Sequence, residues 1–293
     1  MQRICLVNFP SFHIALSVFL CQQFIFQILM KPCLSKSSDL QLHRMLRITV
    51  NALSIPQLNA LITQAITSKQ RWVIANHNLH SIYLYHHDPK MRAFYAKADY
   101  THVDGMALVI IGKMLGLPLR REHRVTYADW INPLIAEAAQ QGWRIFYLGS
   151  KPGVAEQGAK VLQEKFPSLQ IATAHGYFDA HSDSSENQAI LATINAYQPH
   201  VLMVGMSMPR QEHWVLDNLE QLSVNAILTS GAAIDYVAGA VPTPPRWAGK
   251  LGLEWLFRLV AEPQRLWRRY LVEPWFLIRL FLVEGFQQRY LAR

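Results

Sequence analysis

The feature that most constrains the fold is a regular alternation of short β-rich runs with longer helical stretches from Leu46 onwards. The helical stretches begin at Ser, Asp or Pro and stop at Gly, as helices commonly do. Strands that alternate with helices in this way build a parallel sheet flanked by helices. The rhythm therefore predicts a Rossmann-like α/β domain. The candidate strands are Arg47–Val50, Trp72–Ala75, Tyr100–Val103, Trp143–Leu148, Gln170–Thr173, His200–Val204 and Asn225–Leu228.

Composition divides the chain into three predicted parts. Residues 1–44 form an apolar extension whose polar interruptions make a poor transmembrane helix, which favours Met45 as the translation start over a membrane span. Residues 45–245 hold the α/β domain. Residues 246–293 carry nine Lys and Arg against four Glu, together with ten aromatic residues, in a helical pattern broken at Pro263 and Pro274. This last part is predicted to be a basic, aromatic helical appendage, either lying in a lipid interface or covering the core of the domain.

The charge balance points to an anionic partner without identifying it. The net charge of +8 fits a nucleic acid, a phosphorylated substrate or an anionic membrane surface equally well. All three cysteines lie within the first forty residues, so the rest of the chain has no disulfide and no cysteine-ligated metal site. This cysteine distribution is typical of a reducing, cytoplasmic setting.

Polar residues follow five of the candidate strands, at the edge of the sheet where doubly wound proteins bind their ligands. They are Asn76-His-Asn78, Asp104-Gly105, the loop that starts at Gly149, the segment that ends at Gln211-Glu212, and Gly231-Ala-Ala-Ile-Asp235. These strand ends predict one shared cleft. Asp104 is either a general base in that cleft or the N-cap of the next helix. The Gly149 loop lacks both the Walker spacing and the dinucleotide glycine pattern, which disfavours a nicotinamide-dependent oxidoreductase.

No metal site is predicted. The twelve histidines have no carboxylate or cysteine partner at a recognised ligand spacing, and no Asp-x-Asp motif is present. Arginines are therefore the candidates for neutralising a departing phosphate, because a guanidinium group matches phosphate oxygens. The alternative is a solvated basic face or a contact with anionic lipid. The candidates are Arg258, Arg265, Arg268 and Arg269.

From Arg47 to Leu271 the chain carries a series of short motifs in a specific order. They are Asp104-Gly105, Arg124-Val-Thr-Tyr-Ala-Asp129, Phe146-Tyr-Leu-Gly-Ser-Lys-Pro-Gly-Val-Ala-Glu156, His175-Gly-Tyr-Phe178, Pro209-Arg-Gln-Glu212, Gly231-Ala-Ala-Ile-Asp235, Leu253-Glu-Trp-Leu-Phe-Arg258, Glu262-Pro-Gln-Arg265 and Arg268-Arg269. This series resembles the WecG/TagA/CpsF family of bacterial glycosyltransferases, which is glycosyltransferase family 26.

The resemblance implies an inverting glycosyltransferase that needs no metal and no cofactor. It implies transfer of a hexose or N-acetylhexosamine-type sugar from a UDP-sugar to a polyprenyl-diphosphate-linked saccharide. The expected location is the cytoplasmic face of the membrane, with peripheral attachment through the appendage, and the expected process is surface or exopolysaccharide biosynthesis. No nucleic acid partner is expected, and the apolar appendage is compatible with a homo-oligomer.

The resemblance also assigns roles to residues. Asp104 is expected to be the base, and Arg258, Arg265 and Arg268 are expected to complete the active site. The substrate-binding residues that we expect are Asn76, Asn78, Arg124, Asp129, Gly149, Gln211, Glu212 and Asp235. Some positions depart from the family pattern and leave the donor sugar open, namely Asn76, Tyr127, Ser207 and Thr243-Pro-Pro245. The rival hypothesis is a basic lipid-binding or nucleic-acid-binding module without catalysis.

Overall fold

The computed structural model describes residues 42–242, 248 and 253–291. The predicted extension therefore lies outside the described residues except for its last three positions, as do all three cysteines and the Thr243-Pro-Pro245 segment. The described part opens with an antiparallel hairpin of β1 (Leu42–Met45) and β2 (Ile48–Asn51). Strand β1 spans the predicted boundary between residues 44 and 45.

Strands and helices then alternate along the chain. Their order is α1 (Ile55–Thr67), β3 (Trp72–His77), α2 (Leu79–His87), α3 (Pro89–Lys97), β4 (Tyr100–Val103), α4 (Met106–Met114), α5 (Tyr127–Gln141), β5 (Arg144–Gly149), α6 (Val154–Lys165), β6 (Gln170–Ala174), α7 (Ser185–Tyr197), β7 (Val201–Gly205), α8 (Arg210–Asn218), β8 (Ala226–Thr229), α9 (Ala233–Val237), α10 (Glu254–Ala261), α11 (Pro263–Trp267) and α12 (Glu273–Leu291). Short turns of 3-10 helix lie at Arg121–His123 and Leu219–Gln221, and a π-helical turn lies at Arg268–Val272.

The six strands from β3 to β8 form one parallel sheet in the order β4-β3-β8-β7-β5-β6. This arrangement confirms the predicted Rossmann-like fold. Strands β3, β7 and β8 are buried along their whole length, as expected when helices cover both faces of a parallel sheet. One core cluster lies on the face of α1, α5 and α6, and a second lies on the face of α3, α7 and α8.

One strand prediction was wrong. The run Arg47–Val50 was expected to join the parallel sheet, but Ile48–Asn51 pairs with Leu42–Met45 instead. Leu46 and Arg47 make the turn between the two strands, with φ angles of +50° and +60°. Two successive left-handed residues match the twist of a two-residue hairpin, so the run pairs locally. Neither position is Gly or Asn, so the turn had no sequence signal.

The C-terminal helices are present as predicted, but Pro274 does not break them. Pro263 begins α11 and Pro274 lies in the first turn of α12, and a helix tolerates proline at both places. Helix α12 packs against α2, where the ring of Phe276 contacts Tyr83 and His87. Its buried side chains Leu277 and Leu280 join a core cluster that also contains residues of the hairpin, α2 and α4.

The other side of α12 faces solvent. Trp275, Ile278 and Leu282 are exposed, although they lie on the same helix as the buried leucines. Helix α12 therefore covers part of the core and also presents apolar side chains to the outside, and its contact with a lipid interface stays a prediction. None of the helices within the described residues has the length and apolar character needed to span a membrane.

Candidate active site

A cavity of about 760 Å³ opens at the carboxyl ends of β3, β4, β7 and β8. Residues at the strand ends form one wall of the cavity, and residues of the C-terminal helices form another. Of the predicted site residues and candidate arginines, those that line the cavity are Asn76, Asn78, Asp104, Gln211, Arg258, Arg265, Arg268 and Arg269. Tyr127 and Ser207, which depart from the family pattern, line it as well. The predicted shared cleft therefore exists at four of the five strand ends, and residues far apart in the chain build it; the loop that starts at Gly149, after β5, does not line it.

Asp104 stands at the centre of this arrangement, directly after β4. Its Oδ2 atom accepts hydrogen bonds from Nδ2 of Asn76 at 3.4 Å and from Nδ2 of Asn78 at 3.3 Å. Burial raises the pKa of the Asp104 carboxyl above its ordinary value, while the bond from Asn78 and the nearby guanidinium groups of Arg269 and Arg258 act against that rise. A carboxylate with a raised pKa is a stronger base.

The alternative role of Asp104 as a helix cap was wrong. The N-cap of α4 is Gly105, which has a φ angle of +109°, and no side chain caps that helix. The Asp104 side chain instead bonds to the two asparagines. A glycine at position 105 allows the backbone to turn sharply here, so the carboxylate stays beside the cavity.

The two asparagines are themselves held in place. Oδ1 of Asn78 caps α2 by accepting the backbone N–H of Ser81 at 3.0 Å, which leaves its Nδ2 to donate to Asp104. Oδ1 of Asn76 accepts a long hydrogen bond from the Thr229 hydroxyl at 3.5 Å. Each amide therefore has its oxygen engaged elsewhere and directs its nitrogen towards Asp104.

Arg258 and Arg269 are the two cavity-lining arginines whose charges act on Asp104, and Arg124 acts on it from outside the cavity. Arg258 lies over the ring of Tyr236 at 5.9 Å, and its Nε atom has no hydrogen-bond partner among the residues that the structure describes. Arg269 is partly buried and acts on Glu212 as well. The sequence named Arg269 among the candidate arginines and in the family motifs, but the roles that the resemblance assigns to the C-terminal arginines did not include it.

Arg265 and Arg268 line the same cavity but are more exposed. Arg265 pairs with Glu262 and acts electrostatically on Asp235, which is half-buried. The guanidinium group of Arg268 lies 5.7 Å from the ring centre of Trp267. The positively charged wall therefore has an inner part close to Asp104 and an outer part close to solvent.

Four predicted substrate-binding residues do not line this cavity. Arg124 and Asp129 form an ion pair of 2.6 Å with each other, and Asp129 also accepts a bond from the Thr126 hydroxyl. Gly149 lies against the backbone of Gly205, where an added Cβ would approach the carbonyl oxygen to 2.4 Å, so this glycine is required by packing. Asp235 lies beside the cavity, near Arg265 and Arg258.

Glu212 is the fifth predicted residue that does not reach the cavity. It is completely buried, and its Oε1 accepts a hydrogen bond of 2.7 Å from Nε2 of Gln211. Oε1 of Gln211 accepts the N–H of Gly231 at 3.2 Å, and the Tyr147 hydroxyl donates to the Gly231 carbonyl at 3.1 Å. Glu212 therefore orients the Gln211 amide, which in turn holds the Gly231 peptide.

Glu212 is also a buried acid with an unpaired oxygen. Its Oε2 has no hydrogen-bond partner within the described residues. Burial raises the pKa of Glu212 from 4.5 to about 7, against the effects of its bond from Gln211 and the charge of Arg269. The folded protein therefore holds the Glu212 proton more tightly than the unfolded chain does.

This raised pKa predicts a pH-dependent stability. The contribution of the Glu212 proton is complete below the unfolded pKa of 4.5 and is lost as the pH rises through about 7. We expect the unfolding free energy of wild type to fall by on the order of 3 kcal/mol between about pH 5 and pH 8. The unfolding free energy of Glu212→Gln should not show this loss, because the Gln side chain does not ionise. Urea unfolding at both pH values measures it.

The control for this experiment is Glu164→Gln, because Glu164 is exposed on α6. The control should show the same pH dependence as wild type. If the Glu212 variant also follows wild type across this range, Glu212 is not the group that titrates.

The histidines noted in the sequence have structural partners. Nδ1 of His77 lies 2.9 Å from the Ser81 hydroxyl, and the ring of His77 stacks on Tyr95. His86 and His87 bond to the backbone carbonyls of Leu46 and Tyr83. His80 pairs with Glu273 at 2.7 Å, which ties α2 to the start of α12 at the cavity wall. Within the described part of the chain, no group of three or more candidate metal ligands comes together.

Comparison with known proteins agrees with the motifs. The relatives from Staphylococcus aureus strains NCTC 8325 / PS 47 and COL are named N-acetylglucosaminyldiphosphoundecaprenol N-acetyl-beta-D-mannosaminyltransferase. Each is 27% identical over 172 residues, which cover 59% of this chain and 65% of the relative's own length. The model of the Glycosyl transferase WecG/TagA/CpsF family matches residues 43–290, which includes the hairpin, the sheet and the arginine-bearing helices. The family resemblance is thereby confirmed, and the chain belongs to the Glycosyl transferase WecG/TagA/CpsF family.

Proposed function

We propose that this protein is an inverting, metal-independent glycosyltransferase. It moves a hexose or N-acetylhexosamine-type sugar from a UDP-sugar to a polyprenyl-diphosphate-linked saccharide, in surface or exopolysaccharide biosynthesis. The observation that carries the proposal is the position of Asp104, a partly buried carboxylate that faces the cavity beside Arg258 and Arg269. One cavity thus contains both a base and the positive charge that a phosphate leaving group requires.

The reaction follows from these two features. Asp104 takes the proton of the acceptor hydroxyl while that oxygen attacks the anomeric carbon of the donor. The new bond forms on the side opposite the bond to UDP, which breaks, so the configuration inverts. Arg258, Arg265, Arg268 and Arg269 stabilise the negative charge that develops on UDP, as a metal ion does in other transferases.

The substrate-binding assignments divide into two groups. Asn76, Asn78 and Gln211 line the cavity and are proposed to contact the substrate or to orient Asp104. Glu212, Asp129 and Gly149 act one step away, through Gln211, through Arg124 and through the packing of neighbouring strand ends. We keep Asp235 and Arg124 as charged neighbours of the site, because each is electrostatically coupled to a cavity arginine or to Asp104.

The names of these relatives support the substrate class. They transfer N-acetylmannosamine to N-acetylglucosaminyldiphosphoundecaprenol, which is a sugar on a polyprenyl diphosphate. We therefore propose the UDP-activated form of N-acetylmannosamine and this lipid-linked acceptor as the first pair to test, with the uronic acid of N-acetylmannosamine and glucose as the other donor sugars to compare.

The proposed attachment to the membrane is peripheral and uses residues 246–293, with residues 45–245 as the catalytic part. On α10 to α12, several large apolar side chains are exposed, and basic residues lie between them. The most exposed are Val260 at 74% and Trp275 at 72%. Tryptophan with arginine on a helical surface is the composition of an element that lies in a lipid interface. This surface supports a location at the cytoplasmic face of the membrane.

The rival hypothesis is a basic module that binds lipid or nucleic acid without catalysis. It requires a basic surface that is independent of the cleft. Four arginines instead line the same cavity as Asp104, which favours catalysis.

A single experiment tests the proposed function. Purified protein is given each of several UDP-sugars with a short polyprenyl-diphosphate-linked N-acetylglucosamine acceptor, and UDP release is measured with EDTA present. We expect acceptor-dependent release with one donor at a rate that EDTA leaves within about twofold, because arginines take the place of the metal ion. A strict requirement for added magnesium or manganese contradicts the metal-independent mechanism. Failure to bind UDP contradicts the transferase proposal as a whole.

A further inference from the structure

Helix α4 has an apolar stripe that leads out of the cavity. Met106, Ile110 and Met114 are spaced by four residues and therefore lie on one side of the helix. Met106 and Ile110 line the cavity. Ile110 is 52% exposed and Met114 is 66% exposed. The stripe thus continues from the cavity wall to the outer surface of the molecule.

An ordinary surface helix buries its apolar side and presents polar residues outside. Helix α4 buries Leu108, Val109 and Gly112, as expected, but its outer side is apolar as well. Single exposed apolar residues need no explanation, whereas a stripe that is continuous with a cavity does. Trp255 on α10 is also exposed and lines the same cavity. The cavity is therefore bordered by exposed apolar side chains on both α4 and α10.

The surroundings of the stripe are basic. Lys113 is exposed next to Met114. A Cβ atom at Gly112 would lie 2.4 Å from Cδ1 of Leu119, so the glycine allows the segment after α4 to fold back onto the helix. The 3-10 turn that follows packs against α4, and exposed Arg120 and Arg121 lie at the start of that turn. An acidic residue of the same turn, Glu122, pairs with Arg120 at 3.7 Å.

We propose that the outer side of α4 is a second membrane-contacting surface, which inserts Ile110 and Met114 between anionic lipids while Lys113 and Arg120 contact their headgroups. An apolar stripe flanked by Lys and Arg has the chemistry of an interfacial helix. With α10 also in contact, the cavity mouth faces the bilayer, so a lipid-linked diphosphate reaches Asp104 while its chain stays in the membrane. This last consequence rests on the proposed function, whereas the lipid contact itself does not.

The test uses the full chain with Met114→Glu and Lys113→Glu, two substitutions of exposed side chains. Binding is measured by co-sedimentation with vesicles of phosphatidylcholine alone or mixed with phosphatidylglycerol. We expect Met114→Glu to weaken binding to both vesicle types by about tenfold or more, because a charge replaces an inserted apolar side chain. We expect Lys113→Glu to weaken binding only to the anionic vesicles, by about fivefold or more.

The matched control is Tyr177→Glu. Tyr177 is an exposed apolar residue at 62%, but it follows β6, which lies at the opposite edge of the sheet from β4 and α4. We expect this variant to bind vesicles as wild type does. Thermal unfolding of all variants confirms that each protein is folded.

Activity separates this inference from the proposed function. The Met114→Glu variant should transfer sugar to a vesicle-embedded acceptor more slowly than wild type does. With a water-soluble short-chain acceptor, its transfer rate should match that of wild type. If wild type transfers to neither acceptor, the proposed function fails, and the vesicle binding still decides the role of α4. Unchanged vesicle binding by both α4 variants overturns the inference. In that case, a lower molar mass of the variants than of wild type in light scattering would indicate that a second copy of the chain binds the stripe. Protease cleavage within residues 1–41 of the variants but not of wild type would indicate that this segment binds it.

Discussion

The Asp104→Asn variant is expected to lose turnover by a factor on the order of a hundred or more. Asn keeps the shape of the side chain and its place beside Asn76 and Asn78, but it cannot take a proton from the acceptor hydroxyl. UDP binding should be retained, because the arginines that are proposed to bind the diphosphate remain. Turnover and UDP affinity, measured separately, test this result.

The pH dependence of the wild type gives a second readout for the same residue. The pKa of Asp104 is raised by burial, and its base form exists only above that pKa. We therefore expect kcat/KM to fall as the pH is lowered towards the ordinary range of a carboxylate, starting earlier than for an exposed Asp. The control Asp183→Asn changes an exposed carboxylate and should leave turnover unaltered. Full turnover by Asp104→Asn would remove Asp104 as the base.

The Arg258→Ala variant is expected to reduce kcat by about 10² to 10³, the usual cost of removing one charge-stabilising donor. Arg258 lines the cavity and is partly buried over Tyr236, so its charge is screened less than that of an exposed arginine. Because the same charge lowers the pKa of Asp104, its removal should also move the acidic limb of the pH profile to higher pH.

Two comparisons make the Arg258 experiment specific. Arg279 is an exposed arginine on α12, and Arg279→Ala should keep wild-type kcat. Arg258→Lys keeps the charge but not the planar fork, so it should recover part of the lost rate. A normal kcat together with an unmoved pH profile in Arg258→Ala would contradict the proposed stabilisation of the leaving group.

The sheet was predictable because its signals are local. Strands β3 to β8 are short apolar runs bounded by turn residues, and each was found within a few residues of its observed position. The hairpin was not predictable, because Leu46 and Arg47 form its turn with positive φ angles, which Leu and Arg rarely adopt. Local sequence patterns therefore predicted where the strands lie, but they did not predict which strand β2 pairs with.

The candidate site also contains residues that the sequence predicted correctly and residues to which it gave the wrong position. Asp104, Asn76 and Asn78 were found because they follow strands, and strand ends of a parallel sheet converge. Glu212 and Gly149 were assigned to substrate binding because they lie in the same motifs. The structure instead buries Glu212 behind Gln211 and places Gly149 against Gly205. A motif therefore locates a region of the site without saying which of its side chains faces the ligand.

Local sequence signals were sufficient for the α/β class, for the edge of the sheet that holds the site and for the family. Long-range contacts were needed for the rest. Arg258 and Arg269 are more than 150 positions from Asp104, and no local pattern encodes that they approach it. Large apolar residues follow one another without a break from Trp275 to Ile278 in helix α12, so periodicity could not separate the buried Leu277 from the exposed Ile278. Burial, raised pKa values and the charge around Asp104 depend on which surfaces meet, and surfaces meet only once the whole chain has packed.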